Sequence, residues 1–351
     1  MLFTRLDELT RFIAWLGFLS TSISVITFNI VTVYFLKRDF GTYRNVLIAF
    51  SVLGFLFSSS EYIVHPMLHS YNAGFVYFTE PHTPIFSNEV MKIGLVAFCA
   101  FYGATVCFIA VQFLYRYWAL FDVAKLRYFE SWRFSLWFLY SFTVGLIWAI
   151  GIYNFLEIDQ PSSSYLGKQL HDHYGMNISI VPVFTSMIYS STGTVRWWNL
   201  SCTIEMTMII GSQYMIICFC GKRMSVGMKE KIEMLSHTKK RLHTQFFKSL
   251  VLQIVVPTII LFLPMASIIY LPLFNLQFSF PTGILFSAFA LYPAIDIVII
   301  LYIVSDYCAA LRNMLCALKH LIWPDRLPYL PEISTFVSSP VSLYPPQITE
   351  F

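Results

Sequence analysis

Charged side chains inside long apolar segments are the residues of this sequence with the clearest chemical meaning. Asp296 lies within a run of Leu, Ile, Val and Ala, whereas Glu61 and Glu205 interrupt two further apolar segments. An ionised carboxylate in hydrocarbon is costly unless it is paired, hydrated or protonated, so such residues mark functional sites. The chemistry that suits them is an exchangeable polar contact or the binding of a ligand cation. The sequence has no Gly-rich phosphate loop and no Cys-x-x-Cys pair, so bond-breaking chemistry is not indicated.

The composition places these residues in a membrane protein. Of the 351 residues, 57% are hydrophobic and 12% are charged, against about 25% charged residues in soluble proteins. The mean hydropathy of +0.65 excludes a disordered chain, which needs low hydrophobicity and high net charge. The net charge of +4 gives no indication of nucleic-acid binding. We therefore expect an all-α membrane bundle rather than a soluble enzyme.

Gaps between charged residues predict seven membrane-spanning helices. A helix needs about 20 apolar residues to cross the hydrocarbon core. The charge-free run 249–295 is long enough for two helices, and two prolines and an asparagine lie near its middle. Two weaker spans each contain a glutamate near one end, where a side chain can reach the interface. The predicted segments are the N-terminus 1–11 and, within a domain 12–310, the spans 12–36, 45–68, 93–115, 134–156, 197–221, 249–272 and 282–304.

The distribution of basic residues predicts the N-terminus outside the cell and the C-terminus inside. Cytoplasmic loops are enriched in Lys and Arg. Eighteen of the 23 Lys and Arg residues lie in the first, third and fifth loops and the tail, and five lie elsewhere. The first apolar run, 12–36, is about 25 residues long, unlike the short apolar region of a cleaved signal peptide. We therefore expect the first helix to be retained.

Three residues in or at the ends of predicted spans have the chemistry of a conformational switch. Asp296 lies ten residues before Asp306, which is about 15 Å along a helix and close to the bilayer centre. Pro293 removes a backbone hydrogen bond one turn earlier, so the two residues predict a hinge with an exchangeable polar contact. A structural aspartate bound by a neighbouring polar side chain is the alternative. Arg116 ends the third span, where a switch and a membrane anchor are equal explanations by position alone.

A set of short motifs occurs along the chain in a fixed order. The motifs are Gly41-Thr42-Tyr43-Arg44, His65-Pro66-Met67-Leu68-His69-Ser70-Tyr71, Tyr115-Arg116-Tyr117, Gln245-Phe246-Phe247-Lys248, Val251-Leu252-Gln253, Pro257-Thr258, Leu291-Tyr292-Pro293 with Asp296, and Asp306-Tyr307. Each motif is unspecific alone, but the ordered set over about residues 28–310 resembles the nematode seven-transmembrane chemoreceptors of the Str class and their Srj relatives.

This resemblance implies a G-protein-coupled chemosensory (olfactory) receptor at the plasma membrane of sensory neuron cilia, with a small, often volatile ligand and a heterotrimeric G protein as partners. It places Arg116 at the position of the arginine that latches neighbouring helices in rhodopsin-like receptors. The predicted switch and coupling residues are Arg116, Tyr115, Tyr117, Pro293, Asp296 and Lys248.

Two positions depart from the pattern of this family. Ile297 replaces the proline that often follows the seventh-helix aspartate, and Cys308 replaces a basic residue after the Asp-Tyr pair. The second change removes a charge from the surface expected to face the G protein. Coupling is therefore a weaker expectation than the fold.

The predicted ligand pocket lies in the outer half of the bundle. A small volatile ligand needs apolar and aromatic walls with a few polar groups, and the outer halves of four predicted spans contain such residues. A glutamate there can pair with a cationic ligand group, although extension toward the interface and aromatic packing are the more common explanations. The predicted pocket residues are Glu61, Phe98, Tyr102, Glu205 and Tyr270.

The remaining segments predict contacts with lipid and sites of modification. The fifth loop, 222–248, carries eight basic residues and suits both lipid headgroups and a G protein. The segment 311–323 has the spacing of an amphipathic surface helix, whereas the proline-rich tail 324–351 is expected to remain unfolded and flexible. Asn177, in an Asn-Ile-Ser sequence, is a predicted glycosylation site, and Cys316 is a candidate for palmitoylation.

The histidines do not predict a metal site, and no cofactor is expected. His65 and His69 are four residues apart, and His171 and His173 lie in the same outer half, which would be the basis of a zinc site. Pro66 disturbs the helical spacing, however, and no acidic or cysteine ligand lies beside these residues. We therefore predict no bound metal.

The cysteines indicate packing rather than a disulfide framework. The chain has seven, an odd number, and the predicted extracellular loops contain none. A bridge between Cys99 and Cys202 requires both residues to lie near the outer surface, and packing inside the bundle is the simpler interpretation.

Two other functions are compatible with a helical membrane bundle. A seven-helix chemosensory ion channel would have its N-terminus inside and a polar pore face, and neither feature is indicated here. A transporter is expected to consist of related halves with matching interrupted helices, which seven spans do not provide. The ligand-gated channel is the alternative to a G-protein-coupled receptor.

The predicted orientation is tested with epitope tags at the two ends of the chain. On unpermeabilised cells an antibody should stain the N-terminal tag and not the C-terminal tag, because the basic loops remain in the cytosol. Permeabilisation should expose the C-terminal tag and serves as the control. A C-terminal tag that is stained on intact cells would contradict the topology.

Overall fold

The computed structural model describes residues 2–35, 42–80, 86–190, 192–233, 248 and 250–322, which form a helical bundle with a small sheet at one end. The helices are α1 (Leu2–Ile30), α2 (Thr42–Val64), α3 (Asn88–Phe121), α4 (Arg133–Phe155), α5 (Gln160–Tyr174), α6 (Trp197–Glu233), α7 (Leu263–Tyr270), α8 (Gly283–Phe289), α9 (Tyr292–Ile303) and α10 (Ser305–Ile322). The strands are β1 (Met67–Asn72), β2 (Gly74–Phe78), β3 (Val183–Met187) and β4 (Leu276–Pro281).

Seven segments of the described chain are long and apolar enough to cross a membrane. We number them span 1 to span 7: Glu8–Phe35, Thr42–Val64, Asn88–Phe121, Arg133–Phe155, Trp197–Gly227, Leu250–Phe274 and Gly283–Ile303. Their number confirms the seven spans predicted from the sequence. Span 3 begins earlier and ends later than predicted, since its helix continues into charged sequence beyond the apolar run. We call the end of the bundle that carries the four strands the sheet end, and the other the α10 end.

Span 2 ends four residues earlier than predicted. The predicted span 45–68 continued through His65, but the helix ends at Val64. His65 has a left-handed φ of 45°, and Pro66 has no N–H with which to continue the helix. The following residues form β1. His65 and His69 therefore do not have helical i, i+4 spacing, as Pro66 in the sequence indicated.

The four strands come from three different loops. They form an antiparallel sheet in the order β3-β2-β1-β4. β1 and β2 are a hairpin between spans 2 and 3, in which Leu68 pairs with Tyr77. β3 lies between spans 4 and 5, and β4 lies between spans 6 and 7, where Ser70 pairs with Phe280. The sheet therefore connects the three loops of its end.

The strands β1, β2 and β3 are buried on both faces of this sheet. Leu68 and Tyr77 belong to the same buried cluster as the helices of the bundle. Their neighbours Met67 and Phe78 pack against α5 on the opposite face, because successive residues of a strand point to opposite sides. α5 begins at a capping box, in which Asp159 accepts from the Ser162 backbone N–H. The sheet thus separates α5 from the bundle and covers the helices.

Span 3 lies at the centre of the bundle and is buried over most of its length, from Leu95 to Arg116. Span 4 approaches it closely at Gly145, where an added Cβ would lie 2.3 Å from the carbonyl oxygen of Ala100. Such backbone contact between small residues is typical of helices packed in a membrane.

Span 7 is divided into α8 and α9 immediately before Pro293. Pro293 has no N–H, so one backbone hydrogen bond of the helix is missing. At this break the Ala290 carbonyl oxygen accepts a 3.0 Å hydrogen bond from Thr21 Oγ1 of span 1. Gly54 of span 2 admits the proline ring, since an added Cβ there would lie 2.7 Å from the Pro293 Cβ. The break is therefore supported by both neighbouring spans.

The α10 end carries the segments that the sequence assigned to the membrane surface. α10 extends to Ile322, and its residues Tyr307 and Met314 are buried against span 1. α6 continues past span 5 to Glu233. Residues 234–247 of the fifth loop and the tail 324–351 lie outside the described residues.

Candidate functional site

Arg116 is buried at the α10 end of span 3, where two polar side chains bind its guanidinium group. Only 8% of the residue is exposed. Its Nε donates to the Tyr43 hydroxyl of span 2 at 2.9 Å, and its Nη1 donates to Gln253 Oε1 of span 6 at 2.5 Å. The guanidinium carbon also lies 5.7 Å from the centre of the Phe113 ring, a cation–π distance. Arg116 therefore connects spans 2, 3 and 6 instead of extending toward the membrane surface.

Asp296 of span 7 lies next to the same amide. It is 3% exposed, and its carboxylate is beside the Gln253 side chain and within electrostatic range of Arg116. Because Gln253 Oε1 accepts from Arg116, the amide N–H groups remain as donors for Asp296. Asp296 Oδ2 has no hydrogen-bond partner among the described residues. We call Tyr43, Arg116, Gln253 and Asp296 the Arg116 network.

The Arg116 network is a coupled arrangement of two opposite charges. Removing one member of a buried ion pair leaves an uncompensated charge, which costs about 3–5 kcal/mol. Four spans each contribute one residue to the network, and the contact between Arg116 and Asp296 passes through the neutral amide of Gln253. A relative movement of any of these spans changes the partners of the two charges. The network therefore has the chemistry of an exchangeable contact.

Aromatic rings extend this network toward the third loop. The Tyr43 and Tyr115 rings are stacked with centroids 5.1 Å apart. Tyr115 also contacts Phe129, edge to face, at 4.9 Å, and Phe129 ends the 3-10 helix Val123–Phe129 of that loop. On the other side, Tyr292 is 1% exposed and lies within electrostatic range of Asp296. The network is thus in packing contact with a loop at the α10 end.

The other predicted switch residues lie around the network and not in it. Tyr117 faces α6, with its ring 5.9 Å from that of Phe219. Lys248 is exposed immediately before span 6. Pro293 forms the break of span 7, one turn before Asp296. Of the predicted set, Arg116 and Asp296 are the two residues that meet through a shared partner.

A second buried polar group lies nearer the sheet end. Ser58 and Glu61 of span 2 are fully buried, and Ser287 of α8 is 1% exposed. Ser287 lies beside the Glu61 carboxylate. Neither oxygen of that carboxylate and neither hydroxyl makes a hydrogen bond of normal geometry with a described residue. We call these three residues the Glu61 cluster. Because a buried polar group without a partner costs about 1–3 kcal/mol, a ligand that supplies donors would be bound favourably here.

Aromatic side chains line the Glu61 cluster. The ring of Phe98 of span 3 lies 5.3 Å from the ring of Phe57 and 5.9 Å from that of Phe286. Each of these two phenylalanines immediately precedes a serine of the cluster. Tyr102 contacts Phe57 at 6.2 Å, and its hydroxyl donates to the Leu261 carbonyl oxygen of span 6 at 3.1 Å. The surroundings of the cluster are therefore apolar and aromatic, with few polar groups.

The sheet contributes Tyr77 to the same region. Its hydroxyl donates to the Leu95 carbonyl oxygen of span 3 at 3.0 Å. Burial, then the nearby Cys99 thiol and the Glu61 carboxyl, raise the pKa of Tyr77 well above its usual value, so the phenol remains protonated. Tyr77 thus connects the sheet to the neighbourhood of Glu61.

Glu205 and Tyr270 lie away from the Glu61 cluster. The carboxylate of Glu205 packs against span 4, where a Cβ added to Gly151 would lie 2.1 Å from its Oε2. Tyr270 is 37% exposed and donates to Thr207 Oγ1 at 3.0 Å. Of the five predicted pocket residues, Glu61, Phe98 and Tyr102 share one neighbourhood, and Glu205 and Tyr270 do not belong to it.

Two of the predicted histidines at the sheet end lie together, and the other two lie apart from them. The rings of His69 and His173 lie 4.9 Å apart, whereas His65 contacts Thr10 and the His171 side chain is 72% exposed. Within the described part of the chain, no three His, Cys, Asp or Glu side chains form a metal-binding group.

The predicted modification residues are accessible, and the cysteines are free. Asn177 is exposed at the sheet end after α5, and its Oδ1 accepts from the Ser179 N–H at 3.0 Å. Cys316 is exposed on α10. Cys99 and Cys202 are buried and unbridged.

Sequence reasoning did not identify Gln253, Tyr43, Ser58 or Ser287 as site residues. The polar candidates inside the spans were selected for their charge, and these four side chains are neutral. Gln253 was nevertheless visible as the one amide between Ser249 and Asn275 of a charge-free run, and a polar group in hydrocarbon needs an internal partner. Ser58 and Ser287 are more than 200 residues apart in the sequence, so no local pattern joins them.

The chain is similar to known proteins over nearly its whole length. Residues 10–312 match the family model described as serpentine type 7TM GPCR chemoreceptor Str. The chain is 33% identical to the G-protein coupled receptor str-33 of Caenorhabditis elegans over 317 residues, which are 88% of this chain and 92% of that protein. It is 25% identical to the serpentine receptor class r-10 of the same organism, over 85% of this chain and 89% of that protein.

A Gln253→Leu variant tests whether the amide stabilises the two charges. Loss of the amide leaves groups of Arg116 and Asp296 without partners, so the free energy of unfolding should fall by about 1–3 kcal/mol for each. The measurement is the melting temperature of the purified protein in detergent. Gln112→Leu is the matched control, because Gln112 is also buried in this part of the bundle and its Nε2 has no described partner. Equal losses in the two variants would contradict the role of Gln253.

Proposed function

We propose that this chain, which belongs to the Str family of serpentine seven-transmembrane chemoreceptors, is a receptor that binds a small chemical ligand near its sheet end and activates a heterotrimeric G protein at its α10 end. It is a multi-pass membrane protein of a GPCR family. The proposed role is olfactory, in the plasma membrane of sensory neuron cilia. The single observation that carries the proposal is the Arg116 network, which joins spans 2, 3, 6 and 7.

The proposed orientation has the sheet end outside the cell and the α10 end in the cytosol. Eighteen of the 23 Lys and Arg residues belong to the first, third and fifth loops or the tail, which the positive-inside rule assigns to the cytosol. Asn177, the proposed glycosylation site, then lies outside the cell, and Cys316, the proposed palmitoylation site, lies at the cytosolic membrane surface.

The proposed ligand pocket is the Glu61 cluster with the Phe98 and Tyr102 side chains beside it. A receptor needs a site whose occupancy favours one of two helix arrangements. Glu61 lies on span 2 and Ser287 lies on α8, just before the break of span 7. A ligand that bridges these two residues acts on span 7 on the sheet side of Pro293. Asp296 lies on the other side of Pro293 in the same span, so a movement of this span changes the contacts of Asp296.

The proposed coupling surface lies at the α10 end. Tyr115 contacts both Tyr43 of the Arg116 network and Phe129 of the third loop, so a change in the network alters the packing of that loop. Tyr117 and Lys248 lie nearby at the ends of spans 3 and 6. The basic fifth loop begins beside them and supplies positive charge toward the G protein and anionic lipids.

An Asp296→Ala variant tests the switch. It should reach the cell surface in part but lose G-protein activation, because Arg116 then has no opposite charge to exchange. Activation is measured as dissociation of the G protein in cells exposed to short-chain ketones, esters, alcohols and amines. Glu205→Gln is the control carboxylate outside the network. Full signalling by Asp296→Ala would remove the assignment, and a ligand-evoked current that persists under a G-protein inhibitor would favour the ion channel.

A Glu61→Gln variant tests the pocket separately. Glu61→Gln replaces one acceptor oxygen of the side chain by an amide N–H, so compounds with a donor group that activate the native receptor lose a hydrogen bond and should need about tenfold higher concentrations, or about 1.4 kcal/mol. The maximal response should be retained, because the Arg116 network is intact. Glu205→Gln should leave the concentration dependence unchanged. An unchanged response of Glu61→Gln to every active compound would exclude Glu61 from the pocket.

A further inference from the structure

His69 and His173 come together on the side of the sheet that faces α5. His69 belongs to β1 and is fully buried, and His173 belongs to the last turn of α5 and is half-buried. Their Nε2 atoms contact the same oxygen, Ser279 Oγ of β4, at 2.8 Å and 3.3 Å. Ser279 is exposed. Two imidazole nitrogens thus point to one position that is accessible to solvent.

Further oxygen atoms surround this position. Gln169 Oε1 lies 3.2 Å from His173 Nε2, one turn earlier on α5. On the opposite side of the His69 ring, the Tyr174 hydroxyl lies 3.4 Å from Nδ1. A metal-binding histidine commonly donates its second ring N–H to such a partner, which fixes its tautomer and orientation. The Tyr174 hydroxyl can therefore accept from Nδ1 and leave the Nε2 lone pair for a ligand.

We propose that His69 and His173 bind a divalent ion of the zinc class beside the Ser279 hydroxyl. Imidazole nitrogen is a preferred ligand of zinc and copper. Two imidazoles do not fill a tetrahedral shell, so the oxygens of Ser279 and Gln169, or solvent, complete it. An open shell of this kind is typical of a reversible site rather than of a structural one. This inference concerns an ion-binding site and does not depend on the proposed G-protein coupling.

Such an ion would connect three loops. His69 leads back to span 2, Ser279 leads forward to span 7, and His173 lies on the helix between spans 4 and 5. The sheet that these loops share covers the neighbourhood of Glu61 and is joined to span 3 through Tyr77. Bound metal therefore adds a restraint between α5, β1 and β4, over the pocket.

Zinc titration of the purified full-length receptor without a polyhistidine tag tests the site. Micromolar to millimolar zinc should raise the melting temperature in a saturable manner, because a ligand that binds the folded state stabilises it. His173→Ala should shift the titration to concentrations more than about 100-fold higher, beyond the 10–100-fold typical of changes to the partners of metal ligands. His171→Ala is the matched control on the same helix, and its titration should equal that of the native chain.

A second readout covers variants that fold poorly. Copper(II) bound to the native receptor should have an electron paramagnetic resonance spectrum with hyperfine coupling to two imidazole nitrogens, and His173→Ala should reduce the number to one. His69→Ala, Ser279→Ala and apo protein complete the series. An equal melting shift in the native chain, His171→Ala and His173→Ala, or a native spectrum without two imidazoles, would overturn the proposal. Retained zinc stabilisation without any effect on G-protein activation would leave the site intact and limit its role to stability.

Discussion

The need to give every polar group a partner inside a hydrocarbon layer is the constraint on which this structure depends. Serine and threonine meet it locally, as when Thr32, Thr105 and Thr258 donate to carbonyl oxygens four residues earlier in their own helices. Arg116 and Asp296 have no local solution, because no neighbour on their own helix neutralises a full charge. Their partners come from other spans, so the Arg116 network also determines how spans 2, 3, 6 and 7 are placed. The contacts that hold these four spans in place are therefore also the contacts that a movement of the helices changes.

The same constraint explains why the helix breaks of this bundle are supported and not frayed. Span 6 contains the π-helix Thr258–Phe262, and the Leu261 carbonyl oxygen within it accepts from Tyr102 of span 3. Span 7 is broken at Ala290, whose carbonyl oxygen accepts from Thr21 of span 1. Each break therefore has a hydrogen bond from a neighbouring span. The two halves of a broken span can move relative to each other at the cost of one such bond, which is far less than the cost of bending a continuous helix.

The number of spans was predictable from the sequence, whereas the covering of the sheet end was not. Charge-free gaps determine where helices cross the membrane, and prolines and asparagine between residues 272 and 281 separated spans 6 and 7 correctly. The strands pair residues from three loops, as in Ser70 with Phe280, and no local pattern encodes such pairing. The early end of span 2 was encoded locally by Pro66, but the apolar residues that follow it have the composition of a helix as well as of a strand.

In the two buried polar groups, the charged members were predicted and the neutral polar members were missed. Arg116, Asp296 and Glu61 are conspicuous because charges are rare in apolar sequence, whereas the amide that joins two of them is conspicuous only in three dimensions. The resulting two polar groups differ in one respect. Arg116 and Asp296 share Gln253, whereas the Glu61 carboxylate has no partner among the described residues.

That asymmetry is what a receptor requires. A ligand shifts an equilibrium only by the difference in its affinity for two states, and a change from 1:99 to 99:1 needs about 5.5 kcal/mol. A group that is already satisfied has little to gain from a ligand, but a buried acceptor without a partner gains the full value of a new hydrogen bond. In the proposed receptor the Glu61 cluster supplies binding energy, and the Arg116 network, whose contacts cost energy to exchange, provides the opposing term. Span 7 contributes to both, through Ser287 before its break and Asp296 after it, so the two free energies act on the same hinge.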